Sequence, residues 1–290
     1  MGEAKILYGK TIAQEVLAGV KAKVQELQEK NNITPLLMTL EIGEDAASRV
    51  YLGSQRRTAE RVGIQYETVQ LSEGTSQKRL FATLNNINRD PAINGIMLHM
   101  PLPPQLDSKL VQWNIDTRKD VEGVTPYNLG RLFLGVPGLM PCTAQAIVSI
   151  IKSTGVNIRG KEAVIIGHSD IVGKPCAMML LQEEATVTIC HLATDQAGNL
   201  AEHVKRAEIL VVACGKPGLI KGEWIRPGAI VIDAGITAVD DHIVGDVEFA
   251  AAKERAGFIT PVPGGVGAVT VAYLMKNTLD AFIWQNSEGE

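Results

Sequence analysis

One stretch, Val164–Pro175 (VIIGHSDIVGKP), restricts the fold of this chain more than any other. An apolar run ends at Gly167, a short polar turn follows, and Gly173 and Pro175 begin a helical pattern. A strand that leads through a glycine turn into a helix N-terminus binds nucleotide phosphates in α/β proteins, because N–H groups and the positive helix end face the anion. The spacing G-x-S-x-x-x-G differs from the commoner G-x-G-x-x-G, so the turn needs support from its surroundings.

Helix and strand patterns alternate on both sides of this stretch. The spacing of apolar residues predicts helices over 11–31, 46–62, 76–88, 143–153, 174–183, 199–207 and 270–284. It predicts strands over 36–42, 65–71, 95–100, 163–166, 186–190, 209–213, 229–233 and 258–260. Such alternation is typical of α/β proteins with parallel sheets. The less regular segment 106–139 separates two such series, so we predict two α/β domains with their junction there.

The composition limits the partners and the compartment. The 290 residues are 46% hydrophobic and carry a net charge of -4, without the basic excess of a nucleic-acid-binding protein. No window approaches the length of a membrane span. The four cysteines are dispersed and form no C-x-x-C pair, which indicates neither a zinc site nor a disulfide framework. We therefore expect a cytoplasmic protein with no metal and with no nucleic-acid or membrane partner.

Three polar or glycine-containing segments follow predicted strands of the second domain. They are Gly167–Ser169, Cys214–Gly215 and Asp233–Ile236. Ligands of such sheets lie beyond the carboxyl ends of the strands, so these segments together predict a dinucleotide site. An acid that would hold an NAD ribose is missing about 20 residues after the turn, because the second strand ends at His191 and no acid occurs before Asp195.

Eight stretches, in family order over nearly the whole chain, resemble the methylenetetrahydrofolate dehydrogenase/methenyltetrahydrofolate cyclohydrolase family. They are Tyr51 with its helix, MPLP (100–103), KDVEGVTPYN (119–128), PCT (141–143), IGHSDIVGKP (166–175), GEWIRPGAIVIDAGI (222–236), VGDV (244–247) and TPVPGGVGAVT (260–270). The resemblance implies NAD(P)-dependent oxidation of 5,10-methylenetetrahydrofolate to the 5,10-methenyl form. In most members, hydrolysis to 10-formyltetrahydrofolate follows.

The resemblance also implies an arrangement of domains and sites in a homodimer. Residues 1–122 would form an N-terminal folate domain, residues 123–269 a Rossmann-type NAD(P)-binding domain, and the helix within 270–290 would pack back on the first domain. The implied catalytic residues are Tyr51, Gln55, His99 and Glu122. The implied substrate-binding residues are Tyr51, Pro101, Leu102, Pro103, Glu122, Pro263, Gly264 and Gly265. The implied cofactor-binding residues are Thr143, Gly167, His168, Ser169, Ile171, Gly173, His191, Cys214, Gly215, Gly235, Ile236 and Thr270.

The chain departs from the family pattern at the folate positions. Gln55, one helical turn after Tyr51, stands where family members carry lysine, His99 where they usually carry glutamine, and Glu122 where they carry aspartate. A glutamine has no titratable proton near neutral pH, and the loss of an acid or base costs about two to four powers of ten in rate. Hydride transfer depends chiefly on placement. We therefore expect dehydrogenase activity with weak or absent cyclohydrolase activity.

Other functions stay open. His99 could itself act as the base of a full bifunctional enzyme, or it could only replace the glutamine as a hydrogen-bonding group. The altered pocket could instead belong to a non-catalytic homologue that binds folate or nucleotide. It could also serve a related enzyme that acts on a different folate-like substrate.

The resemblance favours NADP over NAD as the cofactor. Family members that prefer NADP often carry arginine after the first glycine of the turn, where this chain has His168. Leu192 replaces the serine or arginine that some members place after the second strand. His168 and His191 are then the residues left to contact a 2′-phosphate.

Overall fold

The computed structural model describes residues 3–43, 46–240 and 242–287. The chain divides into two compact units. One, the large-sheet unit, joins the residues up to Ala13 with Thr143–Thr270. The other, the small-sheet unit, joins Gln14–Cys142 with the residues from Val271 onward. The boundaries therefore fall at 13/14, 142/143 and 270/271, whereas the sequence predicted them at 122/123 and 269/270.

The structure gives the following bounds of helices and strands. The first half of the chain contains β1 (Lys5–Ile6), α1 (Gly9–Asn31), β2 (Leu36–Ile42), α2 (Ala46–Val62), β3 (Gln65–Leu71), α3 (Gln77–Arg89), β4 (Gly95–Leu98), α4 (Ser108–Trp113), α5 (Pro126–Leu134) and α6 (Cys142–Ser153). The second half contains β5 (Glu162–Ile166), α7 (Gly173–Gln182), β6 (Thr186–Cys190), α8 (Leu192–Gln196), α9 (Leu200–Arg206), β7 (Ile209–Val212), β8 (Ile230–Asp233), β9 (Thr237–Val239), β10 (His242–Val244), α10 (Phe249–Lys253), β11 (Phe258–Ile259) and α11 (Val266–Ser287).

The large-sheet unit is built on a parallel sheet whose described strands have the order β1-β11-β8-β7-β5-β6. Strands β7 and β8 are buried along their whole length, as their apolar sequences ILVV and IVID predict. The order reverses at β5, which pairs with β6 on one side and with β7 on the other. Such a reversal opens a crevice at the carboxyl ends of the strands.

The small-sheet unit contains a parallel sheet with the described order β3-β2-β4. All seven residues of the central strand β2 are buried, and the apolar faces of β2, β4 and α3 form one core. Full burial of each large apolar side chain contributes roughly 1.5–3 kcal/mol. The later part of α11 is tied to this unit by Asn277, whose Nδ2 donates to the carbonyls of Val121 (2.7 Å) and Met140 (2.8 Å).

Several elements differ from the prediction. The fourth strand ends at Leu98 rather than at 100, since Pro101 has no N–H with which to continue a ladder. The segment 106–139, predicted to be irregular, contains α4 and α5, whose first turns are capped by Asp107 and Thr125. The residues up to Ala13 belong with the large sheet because β1 pairs with β11. The antiparallel pair β9–β10 was not predicted at all.

The Asn277 contacts predict a large stability effect. Replacement of Asn277 by alanine removes two hydrogen bonds of a buried side chain, and each such bond contributes roughly 0.5–1.5 kcal/mol. We expect a clear fall in the urea midpoint of unfolding. The matched control is Asn286→Ala, an exposed position on the same helix whose amide donates to the Phe282 carbonyl within its own turn. Equal shifts in the two variants would contradict the role given to Asn277.

Candidate functional site

The predicted phosphate turn lies at the carboxyl end of β5 and has room only for glycine at two positions. Gly167 has φ +120°, and a Cβ there would lie 2.2 Å from the carbonyl oxygen of Ala213. A Cβ on Gly173 would lie 2.2 Å from the carbonyl oxygen of Gly167. Ser169 Oγ accepts hydrogen bonds from the N–H groups of Val172 and Gly173, so this serine holds the turn itself. We call Gly167–Gly173 the β5 turn.

The other predicted cofactor residues of this unit surround the same edge of the sheet. Cys214 and Gly215 follow β7, Gly235 and Ile236 follow β8, and His191 follows β6. The switch point between β5 and β7 therefore carries the β5 turn on one side and Cys214–Gly215 on the other. This is where a doubly wound sheet binds a dinucleotide.

Two buried carboxylates fix the loops that follow β7 and β8, and sequence reasoning assigned them no role. Asp246 Oδ2 accepts hydrogen bonds from the N–H groups of Cys214 (2.8 Å) and Gly215 (2.9 Å). The carboxylate of Asp233 accepts from the N–H groups of Gly235, Asp246 and Val247. Burial raises the pKa of Asp233 to about 6. The sequence did contain one signal for such a role, because Asp233 is an acid at the end of an apolar strand.

The two predicted phosphate-contacting histidines are neighbours. The rings of His168 and His191 lie 5.1 Å apart between centroids at an angle of 54°, and both side chains are exposed. His191 is also the N-cap residue of α8, and its N–H group donates a hydrogen bond to Thr194 Oγ1 at 3.2 Å. The β5 turn presents Ile171 beside these polar groups, with 48% of its side chain exposed.

The glycine-rich loop 261–267 belongs to the large-sheet unit. The Val262–Pro263 peptide bond is cis, and Gly264 has φ +108°. The N–H of Gly9 donates to the carbonyl of Gly264 at 2.9 Å, and a Cβ on Gly265 would lie 2.7 Å from the carbonyl oxygen of Pro261. The loop is therefore closely packed backbone. The remaining predicted cofactor residues are Thr143, in the first turn of α6, and Thr270, whose hydroxyl donates to Val266 within α11.

The predicted catalytic residues of the small-sheet unit lie together. Tyr51 and Gln55 are one turn apart on α2, and the Gln55 side chain is hydrogen-bonded to the Tyr51 hydroxyl. The ring centroids of Tyr51 and His99 are 6.3 Å apart. Gln55 is only 1% exposed, whereas 45% of Tyr51 is exposed. We call Tyr51, Gln55, His99 and Glu122 the Tyr51 cluster.

The carboxyl of Glu122 has a strongly raised pKa in the Tyr51 cluster. Its Oε2 accepts a hydrogen bond from the N–H of Leu98 at 3.3 Å. Burial and the nearby Asp120 raise the pKa of the Glu122 carboxyl to about 8, so it holds a proton at neutral pH. Asp120 Oδ2 accepts hydrogen bonds from the N–H of Thr125 and from Asn128 Nδ2, both at 2.8 Å. Two neighbouring acids thus have different roles: one braces the loop and the other faces the cluster.

The other predicted substrate residues of this unit follow β4 directly. The Met100–Pro101 peptide bond is cis, and Leu102 and Pro103 continue the same loop. Leu102 is half-buried against the core of the unit. Cys142 bonds to the carbonyl of Val121, and burial raises the pKa of its thiol well above the ordinary value. The thiol is therefore a structural group.

Sequence reasoning missed Tyr66 on β3. Its hydroxyl donates to Gln55 Oε1 at 3.1 Å, and the guanidinium of Arg56 lies 5.2 Å from the ring centroid. A tyrosine at the second position of a strand carries no sequence signal of such a contact. Across the described residues no group of three or more His, Cys, Asp or Glu side chains could hold a metal ion. In the same described part, no helix is long and apolar enough to cross a membrane.

The fold and the β5 turn define a two-domain protein with a Rossmann-type dinucleotide-binding unit. Comparison with known proteins narrows this class to one family. Residues 7–122 match the catalytic domain of tetrahydrofolate dehydrogenase/cyclohydrolase, and residues 141–286 match its NAD(P)-binding domain. The chain belongs to the tetrahydrofolate dehydrogenase/cyclohydrolase family. The predicted family and the two-domain α/β fold are thus confirmed.

Individual relatives agree with this family over nearly their whole length. The bifunctional protein FolD of Acetivibrio thermocellus is 45% identical over 280 residues, which are 96% of this chain and 97% of the relative. The bifunctional protein FolD 2 of Myxococcus xanthus is 46% identical over 281 residues, 97% of this chain and 96% of the relative.

Solved structures show the same fold. The bifunctional FolD enzyme of Campylobacter jejuni superposes with a TM-score of 0.93 at 36% identity, covering 97% of this chain and 99% of that one. The methylenetetrahydrofolate dehydrogenase-cyclohydrolase of Trypanosoma brucei, solved with NADP cofactor and inhibitor, gives 0.94 at 37% identity. That match covers 98% of this chain and 99% of the other.

The Glu122 environment predicts a pH-dependent stability effect. The folded-state pKa of about 8 exceeds the ordinary value of 4.5, so the folded protein binds the extra proton between these pH values. Glu122 therefore lowers stability progressively as the pH rises through this window, by about 1.4 kcal/mol for each pKa unit of the shift. The difference in urea midpoint between Glu122→Gln and the parent should grow from pH 5 to pH 8 in favour of the variant. A constant difference would contradict the shifted pKa.

Proposed function

We propose that this protein oxidises 5,10-methylenetetrahydrofolate to 5,10-methenyltetrahydrofolate with NADP+ as the hydride acceptor. The observation that carries the proposal is that one chain matches both the catalytic and the NAD(P)-binding domain of the family. NADP is supported by the Trypanosoma brucei relative, which was solved with that cofactor. A tetrahydrofolate derivative as substrate follows from the family of the catalytic domain.

The proposed reaction needs placement more than proton transfer. A hydride leaves the methylene carbon, a C=N bond of the methenyl cation forms, and NADP+ becomes NADPH. No side chain has to gain or lose a proton in this step, so the chain contributes chiefly by holding the reacting groups in register. The large-sheet unit contributes the β5 turn and the loops held by Asp233 and Asp246, whose backbone is fixed by these side chains and carries little side-chain bulk.

The Tyr51 cluster is proposed to hold the folate. The half-exposed ring of Tyr51 offers a flat apolar surface to an aromatic ring of the substrate. Glu122 can accept from the amino and ring N–H groups of a pterin. Because its carboxyl is protonated at neutral pH, the ligand's N–H groups would have to favour the ionised form on binding. Folate binding is then coupled to the release of a proton.

Hydrolysis of the methenyl product is the second candidate activity. Both curated relatives are named bifunctional, which favours a dehydrogenase that is also a cyclohydrolase. His99 is the titratable side chain next to Tyr51 that could serve as the base. The expectation of weak hydrolysis rests on Gln55 alone, since that buried side chain has no proton to exchange. A homodimer and a cytoplasmic location are proposed from the family resemblance.

Turnover followed at the absorbance bands of NADPH and of the methenyl product separates these functions. A rise of both signals is expected for the dehydrogenase alone. A rise of NADPH without accumulation of the methenyl product, beyond spontaneous hydrolysis, indicates the bifunctional enzyme. If neither signal rises, the protein is a binding homologue or acts on another substrate, and the proposed function is wrong.

Gln55→Lys tests what the glutamine costs the hydrolytic step. A desolvated lysine can exchange a proton with attacking water, so we expect hydrolysis of methenyltetrahydrofolate to rise by roughly 100-fold or more. His99→Asn in the parent protein is the matched variant. It should leave hydride transfer intact and abolish hydrolysis only if His99 is the base. Hydrolysis at the same rate in the parent and in Gln55→Lys would show that position 55 does not limit this step.

The histidine pair is expected to set the preference for NADP. His168 and His191 are exposed neighbours at this edge of the sheet, so their ring nitrogens can bond to a 2′-phosphate. Replacement of His191 by alanine should raise the KM for NADP+ by about tenfold, equivalent to about 1.4 kcal/mol, and leave the KM for NAD+ unchanged. Leu192→Ala, an exposed neighbour, is the control. Equal changes for NADP+ and NAD+ would assign His191 to the fold of the loop.

A further inference from the structure

We propose that Tyr66 is a positioning residue that holds the buried Gln55 amide in place beside Tyr51. This inference rests on the proposed function for its kinetic consequence only. Tyr66 lies outside the sequence stretches that indicate the family, on β3. What brings it to the Tyr51 cluster is a contact between this strand and α2.

The first step is the geometry of Gln55. Its side chain is 1% exposed, so both polar atoms of the amide need partners inside the protein. Oε1 accepts a hydrogen bond from the Tyr66 hydroxyl at 3.1 Å. Gln55 also interacts with the Tyr51 hydroxyl, one helical turn earlier on α2, so the amide lies between two tyrosines.

The second step is the origin of this partner. The Tyr66 hydroxyl comes from β3, whereas Tyr51 lies on the same helix as Gln55. The bond from β3 therefore holds the Gln55 side chain in place beside Tyr51. A buried polar chain of this kind specifies one arrangement only when all members are paired.

The third step is the rigidity of Tyr66 itself. The ring is buried, with 7% exposed, and packs beneath the guanidinium of Arg56 at 5.2 Å from the centroid. Arg56 is in turn bonded to Thr68 Oγ1 at 3.3 Å, two residues along the same strand. Two consecutive residues of α2 therefore contact this tyrosine. Gln55 accepts a hydrogen bond from its hydroxyl, and Arg56 covers its ring.

The consequence for the proposed reaction is a fixed Gln55 amide beside the half-exposed ring of Tyr51, on which the substrate is proposed to stack. Loss of the Tyr66 hydroxyl should weaken the placement of the folate and should not alter binding at the β5 turn, which belongs to the other unit.

Tyr66→Phe removes one oxygen and keeps the ring under Arg56. We expect kcat/KM for methylenetetrahydrofolate to fall about fivefold to tenfold, mainly through KM, with the KM for NADP+ unchanged. In a Gln55→Met background, the same substitution should have no further effect. The control is Tyr127→Phe, which removes a tyrosine hydroxyl bonded to Arg131 in the same unit, away from the Tyr51 cluster. Additive effects of the changes at 55 and 66 would overturn the proposal.

A measurement without substrate keeps this proposal separate from the proposed function. Isotope-edited NMR of the ligand-free protein resolves the two hydrogens of a fixed side-chain amide. We expect separate, slowly exchanging signals for Gln55 in the parent and in Tyr127→Phe, and their broadening or shift in Tyr66→Phe. Unchanged Gln55 signals would overturn the proposal even if the dehydrogenase is active. If Tyr66→Phe fails to fold, Tyr66→Met, which is no larger and has no hydroxyl, should reproduce the NMR change.

Discussion

The ends of β5 and β7 approach each other so closely that no side chain fits between them. A Cβ on Gly167 would lie 2.2 Å from the backbone of Ala213, and a Cβ on Gly173 would lie equally close to Gly167. This contact brings the β5 turn against the segment Cys214–Gly215, whose N–H groups are already held by Asp246. The dinucleotide edge of the sheet depends on this contact, because a displaced turn would no longer start α7 beside the strand ends.

Buried polar groups set the geometry in both units, by the same physical means. In the large-sheet unit, Asp233 and Asp246 accept hydrogen bonds from loop N–H groups and so fix backbone. In the small-sheet unit, Gln55 joins two tyrosine hydroxyls and so fixes side chains. A buried polar group without a partner is costly, which makes each such arrangement specific. Asp246 Oδ1 and Asp120 Oδ1 have no hydrogen-bond partner among the described residues, and both belong to these bracing acids.

Much of the fold followed from local patterns. The helix over 46–62 and the strands over 36–42 and 65–71 have the predicted bounds, since apolar periodicity and β-branched content agree there with burial. The prediction failed where tertiary contacts decide. The helices within 106–139 are short and depend on caps, and the residues up to Ala13 join the large sheet only because a distant strand, β11, is there to pair with. Neither the pairing of β1 nor the junction at 142/143 has a local signal.

The sequence by itself determined the family, the α/β class and the positions of the β5 turn and the Tyr51 cluster, because each depends on residue identities at short spacing. Only the tertiary structure decided what those residues do. It revealed that Ser169 caps the turn, that Glu122 holds a proton at neutral pH, and that Tyr66 binds Gln55. Each depends on partners brought together by packing and on the loss of water around them, which no local pattern encodes. The stretch Val164–Pro175 could be understood only from the sequence and the structure together. The sequence shows its glycines, and the structure shows the backbone atoms that leave room for no other residue there.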